Sequence, residues 1–290
     1  MRLGIHMTQK GGFARNVRRA AEIGCETLQV FIGSPTSWRA PQLDASEVEK
    51  RRHVLLECGI EPLIVHTAYL INLASKKEEF LIKSGQLLQQ TMSNAHLLGS
   101  LYVILHVGSH GGRGYQEGLD LFISTMKREM QNWPSGVELL LENTAGAGTS
   151  LGGSFTTIGK ILHSLGEEAP VGVCLDTAHA WAAGYDLSTP GGLAETMDEL
   201  SEHIGMDRVK VIHFNDSVSP RGSYRDRHAH LGEGTIGEEG LQAFLSYPWP
   251  EDMPVILETP DRGTDKDALN LARLRSYVSK CPQGWGKHKE

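Results

Sequence analysis

Short apolar runs recur along this chain, each about five residues long, and longer stretches with one apolar face separate them. The runs occupy residues 3–6, 27–31, 62–66, 102–106, 138–142, 171–176, 209–214 and 255–258. They are nearly continuous in apolar residues rather than alternating, as strands of a parallel sheet covered on both faces should be. Between them, residues 13–23, 47–58, 76–98, 155–165 and 241–245 carry helical patterning. Eight such runs in a chain of 290 residues predict an α/β fold of the (β/α)8 TIM-barrel class. A doubly wound open sheet is the alternative. No Gly-x-Gly-x-x-Gly follows an early run, which removes support for its dinucleotide-binding form. One barrel domain is expected over residues 1–280, with a polar, fraying tail over 281–290.

Composition enters where it limits partners and compartment. With 40% hydrophobic and 22% charged residues, the chain can build a sizeable core. No run approaches the roughly 20 apolar residues a membrane-spanning helix needs. Residues 1–7 read as the first strand rather than as a signal core, so neither membrane nor secretion is expected. Cys25, Cys58, Cys174 and Cys281 are scattered, with no Cys-x-x-Cys pair. A disulfide framework is therefore not expected, and a cytoplasmic location is. Cys174 falls inside an apolar run and reads as a small buried hydrophobe. The net charge of −7, taken alone, argues weakly against a nucleic-acid partner. Histidines that hold cations would change that sum.

The ends of the runs carry the chemistry. The third and fourth runs end in His66 and His106, the fifth in Glu142, and the sixth in Asp176 with His179 one turn later. His213 and Glu258 stand at the ends of the seventh and eighth. In a barrel all of these ends converge on one face, where active sites sit. A single strand-end histidine is more often a hydrogen-bonded structural residue, and Asp176 ahead of Thr177 could simply cap a helix. As a set, that reading fails. It would crowd like-charged carboxylates and desolvated charges at one end of a barrel without compensation. Divalent cations resolve the crowding, and imidazole and carboxylate are suitable zinc ligands.

The segment Asp226-Arg227-His228-Ala229-His230, after the seventh run, adds an Asp-x-His pair. Only one of its two histidines need bind, and His228 is preferred over His230. The candidate metal ligands are then His66, His106, Glu142, Asp176, His179, His213, Asp226, His228 and Glu258. That set is too large for one ion of coordination number four or five, so two or three ions sharing carboxylates are expected. Three divalent ions set against four carboxylates leave a local charge of about +2, which could receive a phosphate on an acidic protein. Zinc is the default, with manganese an option at one of the sites.

Several segments in order resemble the signatures of the endonuclease IV family of abasic-site endonucleases. They are residues 66–74 (HTAYLINLA), 106–110 (HVGSH), 141–146 (LENTAG), 176–179 (DTAH), 182–187 (AAGYDL), 213–216 (HFND), 226–228 (DRH), 231–234 (LGEG) and 257–259 (LET). The resemblance implies a zinc-dependent hydrolase on a xylose-isomerase-like barrel, about three zinc ions, and a monomer acting on double-stranded DNA with abasic sites. Cleavage would fall 5′ to the abasic sugar, leaving a 3′-hydroxyl and a 5′-deoxyribose phosphate. By position, His66 and His106 would hold one zinc, and Glu142 would bridge it to a second completed by Asp176, His213 and Glu258. His179, Asp226 and His228 would hold the third. Glu142 and Glu258 carry the catalytic expectation, Glu258 by orienting the nucleophile or taking its proton. Tyr69 and Leu70 would wedge into the duplex and help extrude the damaged nucleotide. Arg227 would contact DNA.

One departure from the family pattern stands in the loop after the second run. It reads Ser34-Pro35-Thr36-Ser37-Trp38-Arg39, with Thr36 where an inserting arginine is expected. Weaker duplex affinity than in an arginine-bearing relative follows, and neither Arg39 nor Arg113 occupies that position. Ala178 replaces a common cysteine, which reads as a packing change. Two other functional classes remain open on the sequence: a metal-dependent sugar isomerase or epimerase on the same barrel, with one or two ions, and a non-catalytic zinc protein that binds abasic DNA.

Overall fold

The computed structural model describes residues 1–280; the expected tail over 281–290 lies outside the described residues. Its strands, in chain order, are β1 (Arg2–His6), β2 (Thr27–Val30), β3 (Leu63–His66), β4 (Tyr102–His106), β5 (Glu138–Glu142), β6 (Val171–Asp176), β7 (Val209–His213), β8 (Asp216–Ser217), β9 (His228–Ala229) and β10 (Pro254–Leu257). β1 to β7 and β10 close into a parallel barrel in which β10 pairs with both β7 and β1. β8 and β9 form a separate antiparallel ribbon. The helices are α1 (Phe13–Glu22), α2 (Ala45–Glu57), α3 (Glu78–Leu98), α4 (Tyr115–Met130), α5 (Phe155–Leu165), α6 (Thr177–Ala183), α7 (Pro190–His203), α8 (Gly237–Leu245) and α9 (Asp265–Lys280). The fold is the TIM barrel expected from the spacing of the apolar runs. No described helix is long and apolar enough to cross a membrane.

The structure departs from the sequence expectation at some boundaries and in some helices. Phe31, Phe214 and Glu258 stand one residue past their strands, because the backbone there already turns into the loops at the barrel mouth. Helix α2 begins at Ala45, earlier than the expected residue 47, since the Asp44 side chain accepts from Glu47 N at 2.8 Å and caps it. Helices α4, α6, α7 and α9 are additions to the expected set, and α4, α7 and α9 each bury apolar residues in the core. These are Leu119, Phe122 and Met126 in α4, Leu193, Met197 and Leu200 in α7, and Leu271 and Leu274 in α9. Their spacing of three or four still builds one apolar stripe against the barrel.

Two apolar cores result. The larger lies between barrel and helices. The smaller fills the barrel interior and consists of Ile64, Ile104, Leu140, Cys174, Val211 and Ile256, all fully buried. Cys174 thus sits where its apolar run suggested. Gly4 faces β2 so closely that a Cβ there would meet the Thr27 carbonyl oxygen at 2.0 Å, so only glycine fits that wall.

Candidate metal centre

The inner core fixes where the strand-end residues stand. Side chains along a strand alternate between faces, so a residue two positions after an inward one also points inward. Ile64, Ile104, Leu140, Cys174, Val211 and Ile256 each precede by two the residues His66, His106, Glu142, Asp176, His213 and Glu258. Six candidate ligands therefore stand in one layer on an apolar floor. The sheet register then pairs them across strands: His106 lies opposite Glu142, and Asp176 opposite His213.

Strand β6 runs into α6 without a loop. Asp176 is the N-cap of that helix and accepts from His179 N at 2.7 Å. The capping role and the place in the cluster belong to the same carboxylate, since its second oxygen takes a hydrogen bond from Asn215 Nδ2 at 2.8 Å. His228 and Asp226 arrive from the β8–β9 ribbon. Three groups form, each with ligand atoms lying within 4.8 Å of one another: His66, His106 and Glu142; Glu142, Asp176, His213 and Glu258; and Asp176, His179 and His228. Glu142 and Asp176 are each common to two groups. Asp226 lies against the third, 3.2 Å from His179 Nε2 and 3.3 Å from His228 Nε2.

The hydrogen bonds around the cluster decide what it can hold. His66 Nδ1 lies 2.7 Å from the Thr67 carbonyl, His179 Nδ1 2.9 Å from the Asn143 carbonyl, and His228 Nδ1 2.9 Å from the Glu258 carbonyl. A carbonyl oxygen can only accept, so each Nδ1 carries the proton, and in the neutral ring Nε2 is left with a lone pair. That lone pair faces an acceptor: His66 Nε2 lies 3.2 Å from Glu142 Oε2. His228 Nε2 is buried with no well-directed hydrogen bond, although Asp226 is close. Acceptors facing acceptors in a buried site require a cation between them. Imidazole nitrogens and carboxylate oxygens in overlapping groups suit divalent ions of the zinc type, so the residues present fit a multinuclear metal centre.

Several neighbours not anticipated from sequence hold these ligands in place. Asn143 accepts from Asp176 N at 2.7 Å, and Asn215 accepts from Glu258 N at 2.8 Å through its own Oδ1. Gln29 accepts from His213 Nε2 at 2.6 Å and donates to Glu258 Oε1 at 2.7 Å. His6 Nδ1 lies 2.5 Å from the same Glu258 oxygen. His6 ends β1 just as His66 ends β3, so the rule that found the other ligands also points to it. Gln29 gives no such signal, because its type is common and only its inward position sets it apart.

Burial pushes the Glu142 carboxyl up, but His106 and His213 outweigh it and hold the group well below the usual carboxylate range. Glu258, likewise opposed by burial, is held down by His213 and His6. Burial drives His6 down to about 4, so it is neutral. Burial also opposes charge on His228, yet Asp226 and Asp176 push it up to about 9. The carboxylates thus keep their charge at neutral pH, and the cluster attracts cations, whether protons or metal ions.

Above the cluster opens a cleft of about 650 Å³. Tyr69 and Arg227 line it, and Leu70 follows Tyr69 at partial exposure. The Tyr69 ring is about half exposed and packs edge-on to Phe31 at 5.3 Å and His66 at 5.6 Å. Tyr69 N donates to the Pro35 carbonyl at 3.0 Å, which ties its loop to the one carrying exposed Thr36. Arg113 bonds Glu117 at 2.6 Å, and Ala178 is buried behind the site. His230 turns away from the cluster toward Asn270.

A sequence model of the family described as xylose isomerase-like TIM barrel matches residues 17–277. The probable endonuclease 4 of Natranaerobius thermophilus is 43% identical over 290 residues, covering 100% of both chains. The crystal structure of endonuclease IV from Thermus thermophilus superposes with a TM-score of 0.83 at 37% identity, covering 97% of this chain and 100% of that one. A D-tagatose 3-epimerase-like protein reaches a TM-score of 0.71 at 18% identity over 96% of this chain and 97% of that one, a likeness of fold alone. On full-length identity, fold and the sharing of carboxylates among its ligand groups, this chain belongs to the endonuclease IV family of xylose isomerase-like TIM barrels.

Proposed function

We propose that this protein hydrolyses the phosphodiester 5′ to abasic sites in double-stranded DNA, leaving a 3′-hydroxyl and a 5′-deoxyribose phosphate. The observation that carries the reading is the sharing of Glu142 and Asp176 among three ligand groups, an arrangement suited to three neighbouring ions. His66, His106 and Glu142 would hold one ion; Glu142, Asp176, His213 and Glu258 a second; and His179 and His228, with Asp226 and Asp176 beside them, the third. Zinc is the natural occupant of such imidazole and carboxylate sets, with manganese an option at one position. Divalent ions there supply Lewis acidity toward a phosphodiester and bring the acidity of water toward neutral pH.

The chain's own residues orient the reaction. Glu258 has one oxygen fixed by His6 and Gln29 and its backbone N–H fixed by Asn215, so its carboxylate presents a defined face to the cleft for orienting water or taking a proton. Tyr69 offers an aromatic face beside the cluster that can replace stacking lost when an abasic sugar leaves the helix. Leu70 beside it and Arg227 in the lining of the same cleft complete the expected DNA contacts. A monomer working in the cytoplasm is part of the same reading.

The deciding experiment uses a duplex with one tetrahydrofuran abasic analogue, which cannot undergo β-elimination, beside an intact control. The expected result is a cut 5′ to the analogue with a 3′-hydroxyl end, lost on chelation, from protein holding about three ions per chain. Protein with about one ion, inert toward the duplex and active on a ketose, would replace this reading with that of a sugar epimerase.

A further inference from the structure

The loop that follows β10 carries an arginine that the site described so far leaves without a role. Arg262 lines the same cleft as Tyr69 and Arg227, is exposed, and its guanidinium interacts with the Tyr69 hydroxyl. A mobile surface arginine would contribute little there, but this one is mounted on a braced segment. Asp261, just before it, adopts a left-handed backbone with φ of 59°, a conformation that Asp tolerates better than most residues and that marks a tight turn. The Asp261 carbonyl accepts from Thr264 N at 3.2 Å and from Thr264 Oγ1 at 2.7 Å. Gly263 N donates to Asp267 Oδ2 at 2.9 Å, and the buried Asp267 carboxylate is itself paired with Arg19 at 2.8 Å. The backbone is thus fixed on the far side of Arg262.

His230 fixes the near side. Asn270 Oδ1 accepts from Leu231 N at 3.0 Å, so its amide nitrogen is the group that faces His230 Nδ1 at 2.9 Å. That nitrogen can only donate, so His230 Nδ1 accepts and the ring proton sits on Nε2. Nε2 in turn points at Asp261 Oδ2 at 3.5 Å. His230 is the histidine of the Asp-x-His-x-His segment that the metal cluster does not use. It lies against the carboxylate of the residue that precedes Arg262.

Resting on the nuclease reading, we propose that Arg262 is a phosphate-binding residue of the substrate cleft, and that His230 and Asp261 are positioning residues that hold it against Tyr69. The chemistry favours this class of ligand. A guanidinium offers a planar fork of donors matched to a phosphodiester, and Tyr69 leaves part of that fork free. Arg262 and Arg227 are the two cationic side chains, histidines aside, among the described residues that line the cleft, whose other charged walls are Asp226, Glu258 and Asp261. A polyanionic strand crossing this rim needs both. Arg227 comes from the ribbon and Arg262 from the loop after β10, so two separate segments would each bring a cation to the strand.

The test measures binding separately from turnover. The ligand is a duplex already nicked 5′ to a tetrahydrofuran residue, which keeps its phosphates and leaves no bond to cut; its dissociation constant is followed by anisotropy over a salt series with the metal-loaded protein. Arg262→Ala is expected to weaken binding about tenfold and to lower the log–log salt slope by about one unit, as loss of one phosphate contact should. Arg262→Lys should keep the slope while recovering only part of the affinity. On the intact tetrahydrofuran duplex, KM should rise more than kcat falls. His230→Ala should reproduce the loss of slope and add nothing further in the double variant with Arg262→Ala. An unchanged slope and affinity in Arg262→Ala, with the wild type cutting normally, overturns the assignment of Arg262 alone. A His230→Ala protein that melts earlier but keeps the wild-type slope overturns the positioning role. A wild type that neither binds nor cuts these duplexes overturns the nuclease reading and this inference with it.

Discussion

At the scale of single residues, the site is a problem of unpaired acceptors. His66, His179, His213 and His228 each give one nitrogen to a fixed partner and turn the other toward carboxylates, so the neighbours that do not touch an ion decide how well it is held. Asn215 is the sharpest case, because it grips Asp176 through Nδ2 and the Glu258 backbone through Oδ1. Asn215→Ala is expected to lower metal affinity or activity by roughly 10- to 100-fold without removing a ligand. Competition against a chelating dye reads this directly, and unchanged affinity would refute the orienting role. Thr36 presents the opposite case, a missing group. It is exposed, its hydroxyl lies 3.3 Å from Ser34 Oγ, and its loop is bonded to that of Tyr69. Thr36→Arg should tighten binding to an abasic duplex severalfold at matched salt, since one more cation meets the phosphates. Equal dissociation constants would show that this loop does not approach the DNA.

At the scale of elements, the β8–β9 ribbon shows how two-residue strands can place candidate metal ligands. Asp216 is buried and its carboxylate accepts from the backbone N–H groups of Gly232 and Gly234 at 3.0 Å and Ile236 at 3.1 Å. This latch holds the chain leaving β9, and through it the Asp226 and His228 end of the ribbon. A Cβ on Gly234 would meet Asp216 Oδ1 at 2.4 Å, so Gly234→Ala must open the latch. The expected cost is about 1–3 kcal/mol, local to the ribbon. Hydrogen exchange over residues 216–236 should speed up while the barrel strands stay protected, and the bound metal should fall by about one ion. Loss of protection across the whole barrel instead would contradict a local latch.

At the scale of the whole molecule, barrel closure buries two thiols, Cys25 in the outer core and Cys174 in the floor beneath the ligand layer, whose titration lowers stability at alkaline pH. Burial pushes the Cys25 and Cys174 thiols up to about 12 from an ordinary value of 9.0. In the unfolded chain these thiols ionise near the ordinary value, while in the fold they keep their protons. Their contribution is therefore fully present below pH 9 and is lost as pH rises from about 9 toward 12. Each thiol contributes a slope of up to about 1.4 kcal/mol per pH unit in that window. Urea titrations at pH 8 and pH 10.5 should show falling stability, with a shallower fall in Cys25→Ala. Equal slopes in wild type and variant would remove Cys25 as a cause.

The barrel itself was legible in the sequence. Eight apolar runs with polar ends point to buried parallel strands, and His66, His106, Glu142, Asp176, His213 and Glu258 were legible because each stands at the end of such a run. His179 was legible because it follows Asp176 by one helical turn. The tertiary structure decided what local pattern cannot encode. Asp176 joins the group containing His179 and His228 as well as that of His213, because β6 runs directly into α6 and a single carboxylate ends up between two sets of imidazoles. Gln29, Asn143, Asn215 and Arg262 gain their roles only from contacts that span many residues of chain, and no periodicity records these. The choice of His228 over His230 likewise depends on where the ribbon turns and on Asn270 from a distant helix. Sequence sets which face a side chain takes, because that depends on the backbone period; closure of the barrel sets which side chains meet, because that depends on register and loop path.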